Sequence, residues 1–212
     1  MKVLELFSGT HSVGNVCKEK GYEVISLDLK NATHNCDVLK WDYKIYKPGD
    51  FDVIWASPPC NSFSTMMYAT LKTKEKVLEH INNTGLPILR KTEEIIDYFK
   101  PKYYFIENPF TGCMKNYIND KPYYDVDYCM YSNWGYRKTT RIWTNIKDFK
   151  ARRCNKECVN IVTINNIKYH RVNLGSKKYR DLMKANGYDS NSTQQERYRI
   201  PPDLIKSLFE NI

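Results

Sequence analysis

Ser57-Pro58-Pro59-Cys60 closes the apolar run Phe51-Asp52-Val53-Ile54-Trp55-Ala56. Two consecutive prolines fix the backbone and remove two amide donors, so a strand ending there leaves the sheet and presents the next side chain from a rigid loop. Cys60 is that side chain, a nucleophile if activated and a buried reduced thiol otherwise. A second group is Phe7-Ser8-Gly9-Thr10-His11-Ser12-Val13-Gly14, a glycine turn whose open amides could hold an anionic or carboxylate-bearing cofactor. Asp28 lies 19 positions after Gly9, where an acid can accept hydrogen bonds from two ribose hydroxyls. Together they point to a nucleoside-containing cofactor, and the missing GxGxxG pattern counts against a dinucleotide. Asp37 is spaced to meet an adenine amine, or is an ordinary turn residue. Cys154, Cys158 and His170 could give zinc three ligands, with a fourth from elsewhere. The plainer alternative is two half-buried thiols beside a surface histidine, and no metal is assigned from the sequence.

These residues need elements to position them. Val3 to Phe7 reads as a buried strand, about Val13 to Lys20 as a helix closed by Gly21, and Tyr22 to Asp28 as a second strand. Strand, glycine turn, helix and strand make the βαβ unit of an α/β sheet. Phe51 to Ala56 is a further strand. Leu86 to Phe99 has helical spacing and stops at Pro101, and Lys102 to Glu107 is a strand ending in an acid. Ile142 to Asn145 is a shorter strand candidate. Asn61 to Gly85, polar and rich in Lys and Thr, reads as a mobile active-site loop with some helix, whose Lys72, Lys74 and Lys76 could meet phosphates. The apolar face of Leu204, Ile205, Leu208 and Phe209 makes a terminal helix.

Charge divides the chain. Residues 1 to 130 hold 16 Lys+Arg against 17 Asp+Glu, net −1, whereas residues 131 to 212 hold 17 against 7, net +10. A basic lobe on a neutral core suggests a polyanion held by one part and chemistry done by the other. Seven cysteines, an odd number scattered over the chain, argue for reduced thiols rather than a disulfide framework. No run approaches the roughly 20 apolar residues of a membrane span, and the N-terminus has no signal-peptide pattern, so a soluble, intracellular protein is expected. Trp134, Tyr136 and Tyr198 could stack on bases, although packing is the better default among 17 tyrosines.

Leu4-Glu5-Leu6-Phe7-Ser8-Gly9, Ser57-Pro58-Pro59-Cys60-Asn61-Ser62-Phe63-Ser64 and Ile106-Glu107-Asn108-Pro109, in that order, resemble the cofactor, nucleophile and glutamate motifs of DNA (cytosine-5) methyltransferases. The likeness covers residues 1 to about 145. It implies an α/β, Rossmann-like methyltransferase sheet that uses S-adenosylmethionine, with a small basic C-terminal lobe and a terminal helix. The corresponding division is 1–145 for catalysis, 146–198 for the lobe and 199–212 for the helix. It also implies a monomer acting on double-stranded DNA with the target cytosine flipped out, inside a cell and possibly encoded by a virus or phage. Cys60 would add to carbon 6 of the base so that carbon 5 can accept a methyl group, and Glu107 would hold or protonate the ring. Phe7, Ser8, Gly9, Thr10, Asp28, Asp37 and Pro58 would hold the cofactor.

Arg141 ends the segment Arg137-Lys138-Thr139-Thr140-Arg141, where the family has QxRxR, and is the candidate base-orienting or phosphate-contacting arginine. The chain departs from the family in Asn61 and Pro109, in a recognition region of only about 50 residues between Arg141 and Asn191, and in lacking the terminal glycine-asparagine motif. Rival readings are methylation of cytosine in RNA, methylation of a base amine through a motif resembling SPPY, and a DNA-binding homologue without turnover.

Overall fold

The structure is a computed structural model describing residues 1–172, 176–188 and 192–212. Asn191 and parts of the 146–198 lobe therefore lie outside the described residues. Strand β1 (Lys2–Leu6) leads through a tight turn into α1 (Ser12–Glu19), then β2 (Glu23–Asp28) and the two-residue β3 (His34–Asn35). After β4 (Val53–Ala56) come the short helices α2 (Met67–Leu71) and α3 (Lys74–His80), then a π-helical turn, Ile81–Gly85, that runs into α4 (Leu86–Phe99). Next are β5 (Tyr103–Pro109), β6 (Tyr123–Asp127) and β7 (Thr139–Thr144). The hairpin of β8 (Ile161–Ile164) and β9 (Ile167–His170) precedes helices α5 (Lys177–Ala185), α6 (Gln194–Tyr198) and α7 (Pro202–Phe209).

Seven strands form one sheet in the order β3-β2-β1-β4-β5-β7-β6. Strands β3, β2, β1, β4 and β5 are parallel, and β7 runs antiparallel to both β5 and β6. Strand alternation sorts the core into two layers. Leu4, Leu6, Ile54, Ala56 and Ile106 face Leu89, Ile95, Ile96 and Phe99 of α4. Val3, Val53, Trp55 and Phe105 face the other way, against Val13, Val16 and Cys17 of α1 and Leu204, Ile205, Leu208 and Phe209 of α7. Covered on both faces, β1 and β4 must be apolar at nearly every position, which explains their unbroken hydrophobic runs.

Three expectations change. Residues 61–85 are mostly helical rather than loop-like: Thr73 caps α3 by accepting the Lys76 amide, while Val77 and Ile81 are buried in the α4-side core. Strand β7 begins three residues before the expected Ile142, and β6 beside it was not anticipated.

Candidate active site

The strand order reverses beside β1, so the loops leaving β1 and β4 diverge and open a crevice at the carboxyl ends of the parallel strands. A cavity of about 340 Å³ occupies that position. Its wall includes Phe7, Ser8, Gly9 and Thr10 from the first turn, Asp28 from the end of β2, Pro58 and Cys60 from the proline loop, and Glu107 from β5. The structure thus gathers residues up to 100 positions apart.

The first turn is bent by left-handed backbone at Phe7, Gly9 and His11, with φ of 60°, 46° and 54°. The bend turns the Gly9 amide onto Asp28 Oδ2 at 2.9 Å, while Asp28 Oδ1 accepts from Leu29 N at 2.7 Å. Gly14 lets the helix start close to the acid: a Cβ there would stand 2.6 Å from Glu5 Oε2, and the carboxylate would have to shift. Glu5 is 3% exposed and accepts the Val13 amide through Oε1 at 3.1 Å. The Gly14 amide faces the same carboxylate, yet Oε2 completes no hydrogen bond of good geometry among the described residues. Burial pushes the Glu5 pKa up to about 7, with the two backbone amides working the other way. Ser8 Oγ is likewise buried without a partner among the described residues. These unfilled groups and the open turn beside Asp28 fit a polar, nucleoside-bearing cofactor.

On the other side of the cavity, Asn108 Nδ2 donates to Pro58 O at 2.9 Å and ties the proline loop to β5. Cys60 follows on that loop. Its thiol pKa is raised chiefly by burial; Lys138 opposes this and Glu107 adds to it. Lys138 Nζ lies 3.9 Å from Glu107 Oε1 and donates to Arg197 O at 3.2 Å. The fully buried Tyr128 donates its hydroxyl to Glu107 Oε1 at 3.1 Å, and burial, with the carboxylate adding to it, raises the pKa of its phenol. Thiol, ammonium and carboxylate all border one space.

Two sequence candidates lie elsewhere. Arg141 is not brought to the cavity. Asp125, directly opposite it on β6, takes its guanidinium in a two-pronged pair at 2.7 and 2.9 Å, and the Tyr123 ring covers it at 3.5 Å. Asp37 lies outside the cavity wall and caps a short turn through the Leu39 amide at 2.9 Å. Trp134 and Tyr136 pack against each other, with Arg199 over the indole, whereas Tyr198 borders the cavity. Lys72, Lys74 and Lys76 are exposed.

Lys138 was missed as a site residue, although the antiparallel register of β7 carries it back past the end of β5. Its place in the QxRxR-like segment, three positions before the arginine chosen, was the available signal.

No protein-family model matches the chain. A protein of Frog virus 3 (isolate Goorha) described as a "Probable DNA (cytosine-5)-methyltransferase" is 42% identical over 221 aligned positions, covering 99% of each chain. Among solved structures, a methyltransferase of Entamoeba histolytica superposes with a TM-score of 0.56 at 14% identity, over 100% of this chain and 97% of that one, a likeness of fold.

Proposed function

Because the chain belongs to the DNA (cytosine-5)-methyltransferase family, we propose that it methylates carbon 5 of a cytosine flipped out of double-stranded DNA, through a covalent adduct to Cys60. The observation that carries this reading is the shared cavity of Cys60, Lys138 and Glu107 with the Gly9 turn and Asp28. S-adenosylmethionine, the methyl donor in this reading, supplies an electrophilic methyl group when bound. Asp28 would hold its ribose and Phe7 its adenine, while Asp37, which caps a turn outside the cavity wall, would reach the adenine amine only if that turn moved inward. Ser8, Gly9, Thr10 and Pro58 line the rest of its site, and Glu5 faces its ammonium.

The chain's part begins with the thiol. Cys60 must lose its proton, and Lys138 is the cation that favours the thiolate in a site where burial disfavours it. The sulfur's electron pair then forms a bond to carbon 6, the carbon 5–carbon 6 double bond breaks, and its π pair moves onto carbon 5 and toward ring nitrogen 3, making carbon 5 nucleophilic. Glu107 holds ring nitrogen 3 and the exocyclic amine as charge develops there, with Tyr128 fixing its carboxylate. Once carbon 5 carries the methyl group, loss of its proton to a base expels the Cys60 thiolate and restores the aromatic ring. Lys138 takes the cationic place for which Arg141, held by Asp125, is not free. Flipping the base out costs a few kcal/mol, which contacts from the +10 C-terminal third can offset. We read the chain as a monomer, virus-encoded and acting within a host cell. The viral source of the relative supports the viral origin alone. No helix among the described residues is long and apolar enough to cross a membrane.

Expression in a host lacking cytosine methylation tests the function. Base-resolution sequencing should find 5-methylcytosine in host DNA with the wild-type chain and none with Cys60→Ala. Methylation confined to RNA would redirect the substrate, and a methyl group on the exocyclic amine would refute the mechanism.

A further inference from the structure

Cys129, Cys154, Cys158 and His170 bring one ligand atom each into a group whose members all lie within 4.8 Å of one another. We infer that this cluster is a structural zinc site of the Cys3His type, built into the basic lobe and separate from the cavity. It does not depend on the proposed methylation chemistry.

The distances carry the inference. Zinc–sulfur bonds of about 2.3 Å and zinc–nitrogen bonds of about 2.0–2.1 Å at tetrahedral angles separate ligand atoms by roughly 3.5–3.8 Å. His170 Nε2 is 3.5 Å from Cys154 Sγ and 3.5 Å from Cys158 Sγ. Unrelated buried thiols have no reason to converge at that spacing on a single imidazole nitrogen. All seven cysteines are free, so no disulfide accounts for the grouping. The backbone beside the first lobe cysteine also fits a thiolate: left-handed Lys156, φ 60°, aims its amide at Cys154 Sγ at 3.3 Å.

The ligands come from three segments that are otherwise locked in place. Cys129 sits in the 3-10 turn Tyr128–Met130 after β6, Cys154 and Cys158 in the irregular stretch between β7 and β8, and His170 at the end of β9. Fully buried Asn160 joins them by donating to Cys129 O and Ser132 O and accepting from Gly135 N. Cys154 N donates to Asp127 Oδ2 at 2.8 Å. Four protein ligands leave no open position, which marks a structural rather than a catalytic ion, and three thiolates with one imidazole select zinc over harder divalent ions. An ion would pin the β8–β9 hairpin to the turn that also carries Tyr128, the partner of Glu107.

Elemental analysis of the full chain, purified reduced and without chelator, tests the site. Wild type and Cys36→Ser should each carry one equivalent of zinc. Cys158→Ser and His170→Ala should lose it, and His170→Cys, which rebuilds a four-thiolate site, should keep it. A cluster held by packing alone would show no such rescue. Should the variants aggregate, cobalt(II) added to metal-free wild type should give the intense visible bands of a tetrahedral thiolate complex. Folded wild type that retains well under half an equivalent and shows no cobalt bands, or that contains a Cys154–Cys158 disulfide, would overturn the inference.

Discussion

The cavity and the cysteine cluster treat their polar groups in opposite ways. Around the cavity, Glu5 Oε2 and Ser8 Oγ are buried without partners among the described residues, and Cys60 is desolvated beside a single cation. Around the cluster, Asn160 spends its side chain on three backbone groups, and Asp127 is filled by Arg137, Thr139, Arg153 and the Cys154 amide. Buried polar groups left open cost stability, of order 1–3 kcal/mol each, and persist where a ligand completes them. A site that closes on itself serves the fold. On the proposed readings, sulfur does different work according to its neighbours: one thiol beside Lys138 and Glu107 for addition chemistry, three thiols beside an imidazole for an ion.

The comparison breaks first at the sulfurs. Cys60→Ala should lower methyl transfer by at least about 1,000-fold while leaving the melting temperature and zinc content near wild type, as measured by radiolabel transfer and calorimetry. Cys154→Ser should do the reverse in kind: a drop in melting temperature of roughly 10 °C, with chelator producing a similar drop in wild type and none in the variant.

Glu5 sharpens the contrast from the cavity side. Its pKa is about 7 in the folded chain against an ordinary 4.5, so between these values the folded chain binds more protons than the unfolded one. The stability it contributes is full below pH 4.5 and is lost as pH rises through 7, by about 3 kcal/mol at most. Denaturant titrations from pH 4.5 to 8 should show that decline in wild type, and Glu5→Gln should flatten it. The smallest effect belongs to Lys138→Met, which should raise the Cys60 pKa further and slow adduct formation about 10-fold at neutral pH, with the pH–rate midpoint moved to the alkaline side. An unchanged profile would leave Lys138 without a part in activating the thiol.

Much of the central sheet was legible because β1, β4 and β5 are buried runs and α4 keeps helical spacing up to its end before Pro101. Strand β6 was hidden: Asp125 and Asp127 break its apolar pattern, and their partners Arg141 and Arg137 are visible only in three dimensions. The polar segment after Cys60 hid its helices because few of its side chains are buried, Val77 and Ile81 among them. Within the site, the acid and glycine positions were readable from where strands end. Lys138 was not, because an irregular segment and an antiparallel register deliver it. The fourth member of the cluster was concealed for a similar reason, since Cys129 is 25 positions before Cys154 and reads as an ordinary buried residue.

In the proposed mechanism Cys60 bonds to carbon 6 of a cytosine held by Glu107. Duplex DNA containing 5-fluorocytosine, incubated with the chain and S-adenosylmethionine, tests it directly, because fluorine at carbon 5 blocks release of the enzyme. An adduct that survives denaturation is expected, with peptide mapping placing the attachment at Cys60, and none with Cys60→Ala. Methyl transfer to unmodified cytosine with no such adduct, or an adduct through another residue, would contradict it.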